Sequence, residues 1–376
     1  MNRIQEGKKR NSTFELLRIA AMFLIIGFHI WNSAIRPPLD RIMREGELFN
    51  SPMFYSKLLV PEVLAGFGSI GNNLFILISG FFMAASGKKF RLGGKIGELL
   101  KQLGFAVVLM LLVSAAFVRF RPDLNVQTVV VSDFNEEYWF LGYYIAIIVL
   151  ADLFLNRFLE TLSRDSYRTF LLVLFAAISI GWIDKMIIEL SYRLHELAAG
   201  VFFFCLGGYL RKYEPFRNVR AFVLTLTILA CYGLAFFSYR TQTLSLIQAD
   251  PSTPFLQIIP SYSTNSILII LISVAGFERF RRLRVPDSRA INFLGKGVFM
   301  VYAVHENRLV WNLWSKTDWV RLLYDRPGVF CLRFILCILC TFGICILAYV
   351  LYLGFIKACG GLKRCVLRGD AEAGSP

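Results

Sequence analysis

One apolar segment carries an arginine and a histidine at a spacing that could do chemistry. Arg18 and His29 lie within the run FELLRIAAMFLIIGFHIWNSA. Eleven residues of α-helix make three turns plus roughly 20°, so both side chains fall on one face, about 16 Å apart along the axis. A charge midway through a membrane helix costs about 2.5–3.5 kcal/mol and usually faces a polar cavity. The pair therefore indicates a lined site; the alternatives are an arginine that snorkels to the boundary and a histidine that is a plain helix contact.

The next apolar run ends in NNLFILISGFF and contains two asparagines, Asn72 and Asn73. Their amides need partners inside a membrane, and packing between helices is the simpler explanation for them. Ser79 and Gly80 are small enough to let another helix approach closely.

The segment GKKFRLGGK follows and offers Lys88 and Arg91 beside glycines. Such a loop could hold a phosphorylated ligand through charge-assisted hydrogen bonds. The competing explanation is that the charges only orient the protein in the membrane, as in many cytoplasmic loops. The spacing differs from the phosphate-binding pattern GxxxxGK[ST].

A later apolar run begins within EEYWFLGYY, where an acidic residue, Glu137, and an aromatic residue, Trp139, lie close together. Trp139 fits the aromatic belt that marks a membrane interface. Glu137 fits a solvated loop, but its carboxylate could also bind the hydroxyl groups of a ligand.

A second polar set lies late in the chain, within INFLGKGVFMVYAVHENRLV. His305 and Glu306 are expected near the outer end of this helix, where a structural role competes evenly with a functional one. Lys296 and Tyr302 are six residues apart and are not expected to share a face.

The elements that must position these residues are ten apolar runs in a chain of 376 residues that is 56% hydrophobic. Each is close to the length that crosses a bilayer. The sequence predicts an all-α polytopic membrane protein in which residues 13–356 form the transmembrane domain between tails 1–12 and 357–376. The predicted spans are 13–33, 62–85, 99–118, 139–156, 169–187, 196–211, 220–238, 258–277, 290–307 and 331–355.

Charge sets the expected orientation and excludes one class of partner. The net charge is +15, but the basic residues fall in short clusters between apolar runs. Loops on one side carry about twice as many Lys and Arg as those on the other, so both termini are expected in the cytoplasm. The same pattern argues for a lipid bilayer rather than a nucleic acid as the partner.

Several of these motifs together resemble the membrane-integral acyltransferase family 3. They are Arg18 and His29 in the first run, NLFILISGFF, the KKFR turn, YWFLGYY and VFMVYAVHENRLV. The resemblance covers about residues 12–356. These are ten-helix bacterial proteins that acylate surface sugars, so the resemblance implies a multi-pass protein of the bacterial plasma membrane.

The resemblance implies an acyl-CoA donor, usually acetyl-CoA, that enters from the cytoplasm. No bound cofactor or metal is expected from the sequence. His29 then acts in acyl transfer to a hydroxyl of a surface polysaccharide or lipid-linked sugar, with Arg18 as its partner arginine. The family's basic pair is Lys88 and Arg91 here, and the lysine lacks the bidentate fork of an arginine. An imidazole titrates near neutral pH and suits a general base.

Asn73 is a candidate for stabilising the oxyanion that forms during transfer. Glu137, Trp139, His305 and Glu306 are candidates for contacting the acceptor. The leading alternative function is a transporter or flippase for a lipid-linked sugar, which would use the same cavity without chemistry. It would be favoured by inverted repeats or matching broken helices, and neither is apparent in the sequence.

Overall fold

The computed structural model describes residues 10–45, 57–84, 92–126, 129, 138–180, 191–248 and 262–373. Within these ranges the regular structure is helical throughout. The helices are α1 (Ser12–Ile30), α2 (Arg36–Glu45), α3 (Leu59–Leu64), α4 (Phe67–Met83), α5 (Leu92–Phe120), α6 (Trp139–Leu150), α7 (Asn156–Thr161), α8 (Arg164–Ile180), α9 (Ser191–Tyr213), α10 (Ala221–Gln248), α11 (Ile267–Arg281), α12 (Arg289–His305), α13 (Arg308–Ser315), α14 (Trp319–Asp325) and α15 (Pro327–Ala373).

Six helical segments of the described chain are long and apolar enough to cross a membrane. They are Ser12–Arg41, Leu59–Met83, Leu92–Phe120, Trp139–Thr161, Ala221–Gln242 and Pro327–Cys359. Each of the ten apolar runs overlaps a helix. The protein is therefore an all-helical, multi-pass membrane protein, while the number ten, the domain bounds and the cytoplasmic termini stay predictions.

The first helix begins at a side-chain cap and continues past its predicted end. The Asn11 side chain accepts a hydrogen bond of 2.9 Å from the backbone N–H of Thr13, which satisfies one of the N–H groups that a helix start leaves unpaired. At the other end, a π-helical turn (Trp31–Ile35) joins α1 to α2. A π-turn inserts a residue without ending the helix and changes the direction of its side chains.

Small residues set the closest helix packing. A Cβ atom at Gly80 of α4 would overlap the carbonyl oxygen of Phe204 in α9. A Cβ at Gly207 of α9 would overlap the carbonyl oxygen of Leu77 in return. The close approach predicted at Gly80 is therefore confirmed, and α1 packs on the other side of α4.

Large apolar side chains cover the outer faces of α5, α10 and α15. Among the most exposed are Leu112, Phe222 and Ile344. A soluble monomer rarely exposes apolar surface on this scale. The described surface thus suits the hydrocarbon of a bilayer.

Helix α12 ends at His305, and the next residue, the acidic Glu306, joins it to α13. Glu306 leaves the helical conformation, with φ −78° and ψ 65°. Asn307 then caps α13, since its side chain accepts from the N–H of Leu309 at 3.0 Å. The break turns the Glu306 carboxylate toward α1, and it ends the predicted run 290–307 two residues early.

Candidate active site

Arg18 and His29 line one cavity of about 330 Å³, as their spacing predicted. We call this cavity, which runs along the same face of α1, the arginine cavity. Its wall is formed by Arg10, Arg18, Met22, Ile25, His29, Asn72, Phe75, Ser79, Lys95, Leu99, Trp139, Phe140, Leu141, Tyr144, Gly295, Lys296, Val298, Phe299, Tyr302 and Glu306.

The end of the arginine cavity nearest the N-terminus is strongly basic. Arg10, Arg18, Lys95 and Lys296 all line it. Four cationic side chains around one space make a good site for phosphate groups, which accept short, charge-assisted hydrogen bonds. Lys296 and Tyr302 both line this cavity, although their spacing puts them on different faces of α12.

A buried carboxylate holds Arg18 in place. Oε1 of Glu15 lies 2.7 Å from Nη1 of Arg18 and 3.1 Å from Nη1 of Arg10, and the Glu15 side chain is only 4% exposed. A Cβ at Gly295 of α12 would overlap Oε2 of Glu15. Gly295 therefore makes the room in which Glu15 orients the two arginines.

Glu306 lies against His29 at the other end of the arginine cavity. Oε2 of Glu306 is 2.9 Å from Nδ1 of His29, and the two side chains are 4% and 17% exposed. Oε2 has no well-aligned hydrogen bond within the described chain, so the contact is one of charge and proximity. A carboxylate beside a histidine ring is the arrangement that orients the imidazole in catalytic triads.

His305 lies behind this pair and is fully buried. Its Nδ1 is 2.7 Å from the carbonyl oxygen of Val301, which fixes the proton on Nδ1. Its Nε2 is 3.8 Å from Oε2 of Glu306 and has no hydrogen-bond partner in the described ranges. The His305 ring meets the His29 ring edge to face, with centroids 5.3 Å apart.

These three residues could also hold a metal ion. His29, His305 and Glu306 each offer one ligand atom, and the three atoms lie within 4.8 Å of one another. Two imidazoles and a carboxylate suit a divalent transition metal. The sequence predicts no metal site, and that stays a prediction.

A second open space begins on the far side of His29. It consists of two adjoining cavities of about 260 and 430 Å³ that share Trp311, and we call it the tryptophan vestibule. Ile25, His29, Asn72, Trp139 and Glu306 line both the vestibule and the arginine cavity. The His29–Glu306 pair thus stands at the junction of the strongly basic arginine cavity and the polar tryptophan vestibule.

The cavity face of α4 carries a hydroxyl network. Oγ of Ser79 donates to the carbonyl oxygen of Phe75 at 3.0 Å, so the hydroxyl of Tyr144, 3.1 Å away, donates to Ser79. The ammonium group of Lys95 lies 5.6 Å from the centre of the Tyr144 ring. These hydrogen bonds hold the Ser79 and Tyr144 side chains in place on the cavity wall between its basic end and His29.

The other predicted residues divide into three groups. Trp139 and Glu306 reach the junction. Asn73 faces α11, where its amide nitrogen donates to the carbonyl oxygen of Thr264 at 3.2 Å and to Ser273 at 3.4 Å, and its neighbour Asn72 lines both cavities instead. The third group, Lys88, Arg91 and Glu137, lies outside the described residues.

Comparison with known families identifies the family of the chain. A model of the acyltransferase 3 domain matches residues 11–350. The chain belongs to acyltransferase family 3. The match takes in α1 to α14 and α15 as far as residue 350, so both cavities lie inside the family domain. No curated protein and no solved structure matches the chain.

Some residues that line or support the two cavities were missed from the sequence. Glu15 precedes Arg18 by three residues, a spacing that pairs charges on a helix, and that signal was available. Trp311 and Asn72 offered no such signal, because an aromatic belt and interhelical packing account for their residue types equally well.

Proposed function

We propose that the protein is a membrane O-acyltransferase that moves an acyl group, most simply acetyl, from cytoplasmic acyl-CoA to a hydroxyl of a cell-envelope sugar. The observation that carries the proposal is His29, paired with Glu306, at the place where the arginine cavity meets the tryptophan vestibule. We also propose that the protein lies in the bacterial plasma membrane. Its long apolar helices and its membership of this acyltransferase family support that location.

The arginine cavity suits the donor. Arg10, Arg18, Lys95 and Lys296 would bind the phosphates of CoA. The wall between them and His29 includes Met22, a suitable surface for the flexible arm of CoA. The thioester would then reach His29, about 16 Å along α1 from Arg18.

His29 acts as the general base. Nδ1 faces Glu306, which leaves Nε2 to take the proton from the acceptor hydroxyl. The hydroxyl oxygen bonds to the thioester carbonyl carbon, the carbon–sulfur bond breaks, and the departing thiolate takes the proton back from Nε2. The charge on Glu306 stabilises the imidazolium between these two proton transfers.

Asn72 is the better candidate for the oxyanion donor than Asn73. Its side chain lines both cavities beside His29, whereas the amide of Asn73 is bonded to α11. An amide N–H held near the developing oxyanion contributes about 2.7–4 kcal/mol in comparable enzymes.

The test uses purified protein in nanodiscs, labelled acetyl-CoA and bacterial envelope fractions, with and without EDTA. We expect release of CoA and transfer of the label to envelope glycan, both unaffected by the chelator. Loss of transfer on chelation would instead favour a metal at His29, His305 and Glu306. A correctly inserted protein that moves a lipid-linked sugar across the bilayer but leaves the glycan unlabelled would be a flippase, and the proposal would fail.

A further inference from the structure

The tryptophan vestibule has the features of a carbohydrate site. Its deeper part is lined by Ile25, Phe28, His29, Asn32, Ser33, Gly68, Asn72, Trp139, Glu306, Arg308 and Trp311. Its outer part is lined by Asn32, Ser33, Arg308, Trp311, Asn312 and Ser315. Ligand sites commonly combine an aromatic surface with a few well-placed polar groups, and this wall contains both.

Trp311 is the aromatic platform beside the reacting group. Its ring lies at 27° to the ring of His29, with centroids 6.3 Å apart. Its indole N–H is buried and has no hydrogen-bond partner within the described chain. Because the N–H has no accessible surface, the ring rather than the N–H is what Trp311 offers to a ligand in the vestibule.

The polar side chains around the opening of the vestibule come from two elements, the π-helical turn after α1 and the helix α13. The π-helical turn Trp31–Ile35 places Asn32 and Ser33 on the vestibule, and such turns are frequent at functional sites. Across the opening, Ser315 of α13 donates to the carbonyl oxygen of Trp311 at 2.9 Å, which steadies the helix turn that carries the indole.

We propose that the vestibule binds a pyranose ring of the acceptor, with the apolar face of the sugar stacked on Trp311 and a ring hydroxyl directed at His29. The amides of Asn32 and Asn312 bind the remaining hydroxyls. This subsite rests on the proposed function. It adds Trp311 as the residue that selects a cyclic sugar over an open-chain polyol, because only a ring offers a flat apolar face.

Binding tests the subsite without requiring catalysis. Saturation-transfer NMR would use protein in phospholipid nanodiscs free of glycoside detergent, with methyl α-D-glucopyranoside, methyl β-D-galactopyranoside and sorbitol as probes. We expect at least one pyranoside to bind more tightly than sorbitol. Trp311→Ala should weaken that binding about tenfold, and Trp311→Phe should keep most of it. Leu313→Ala is the matched control, since Leu313 lies on α13 but does not line the vestibule.

A second set of binding measurements uses a polyprenyl-phosphate-linked hexose as the probe. Comparison with the free pyranosides shows whether the vestibule prefers a lipid-linked sugar or a free one. The subsite is overturned if no pyranoside in either set of measurements binds better than sorbitol, or if Trp311→Ala binds as the wild type does. Pyranoside binding that depends on Trp311, with no acetyl transfer, would sink the proposed function and keep the subsite.

Discussion

Glu306 and His29 come from opposite ends of the chain and meet with 2.9 Å between Oε2 and Nδ1. The contact exists because α12 stops at His305 and the chain turns at Glu306. A helix continued through residue 306 would direct this carboxylate elsewhere. The end of one helix thus supplies the charge that a histidine within another helix requires.

We expect His29→Gln to abolish acyl transfer while expression and insertion stay near wild type. Loss of a general base costs about 10²–10⁴ in rate, and glutamine keeps a side chain of similar size between the cavities. The measurement is donor thioester consumption in the presence of acceptor. Consumption at the wild-type rate would make His29 structural and move the base toward His305.

We expect Glu306→Gln to lower kcat by about 10²-fold or more and to leave the KM for the donor nearly unchanged. A carboxylate that orients a catalytic imidazole contributes up to about 10⁴ in rate. Glu160→Gln on α7, an exposed position, is the control for loss of a carboxylate. An unchanged kcat for Glu306→Gln would show that the contact with His29 has no part in catalysis.

We expect Gly295→Ala to raise the KM for acyl-CoA about fivefold, equivalent to about 1 kcal/mol. The added methyl would displace Glu15 and so shift Arg18 and Arg10. Gly276→Ala on α11 is the matched control, since no atom lies within 4 Å of its added Cβ. Equal KM values for the two variants would mean that Glu15 does not position the donor site.

We expect replacement of both Lys88 and Arg91 with Gln to raise the KM for acyl-CoA about tenfold or more. Each charge-assisted hydrogen bond to a phosphate is worth about 1.5–3 kcal/mol. Reporter fusions in the neighbouring loops must show an unchanged orientation in the same variant. A KM equal to that of the wild type would leave these residues with an orienting role only.

We expect reporter fusions at Asp123 and Arg282 to lie on opposite sides of the membrane. The prediction rests on the unequal distribution of Lys and Arg between the two sets of loops. Paired periplasmic and cytoplasmic reporters at each position provide the measurement. Reporters that place both positions on the same side would refute ten spans with cytoplasmic termini.

The helical class and the Arg18–His29 face could be predicted because both depend on local periodicity. Long apolar runs specify spanning helices, and a spacing along one helix fixes which side chains share a face. Neither inference needs knowledge of how the helices pack.

The His29–Glu306 contact could not be predicted, because it depends on where α12 ends and how it packs against α1. The choice between the two asparagines could not be made from the sequence for a similar reason. Asn72 and Asn73 are adjacent and chemically identical, and only the position of α11 decides which of them faces away from the cavities.

The five residues that line both cavities also have a consequence for the permeability of the membrane. His29, Glu306 and their neighbours lie between the arginine cavity and the tryptophan vestibule. A side chain much smaller than imidazole at this point would join the two spaces into a continuous file of water. We expect cells expressing such a variant to lose part of their transmembrane proton gradient, in which case the residue proposed to move one proton in catalysis would also limit the leakage of many.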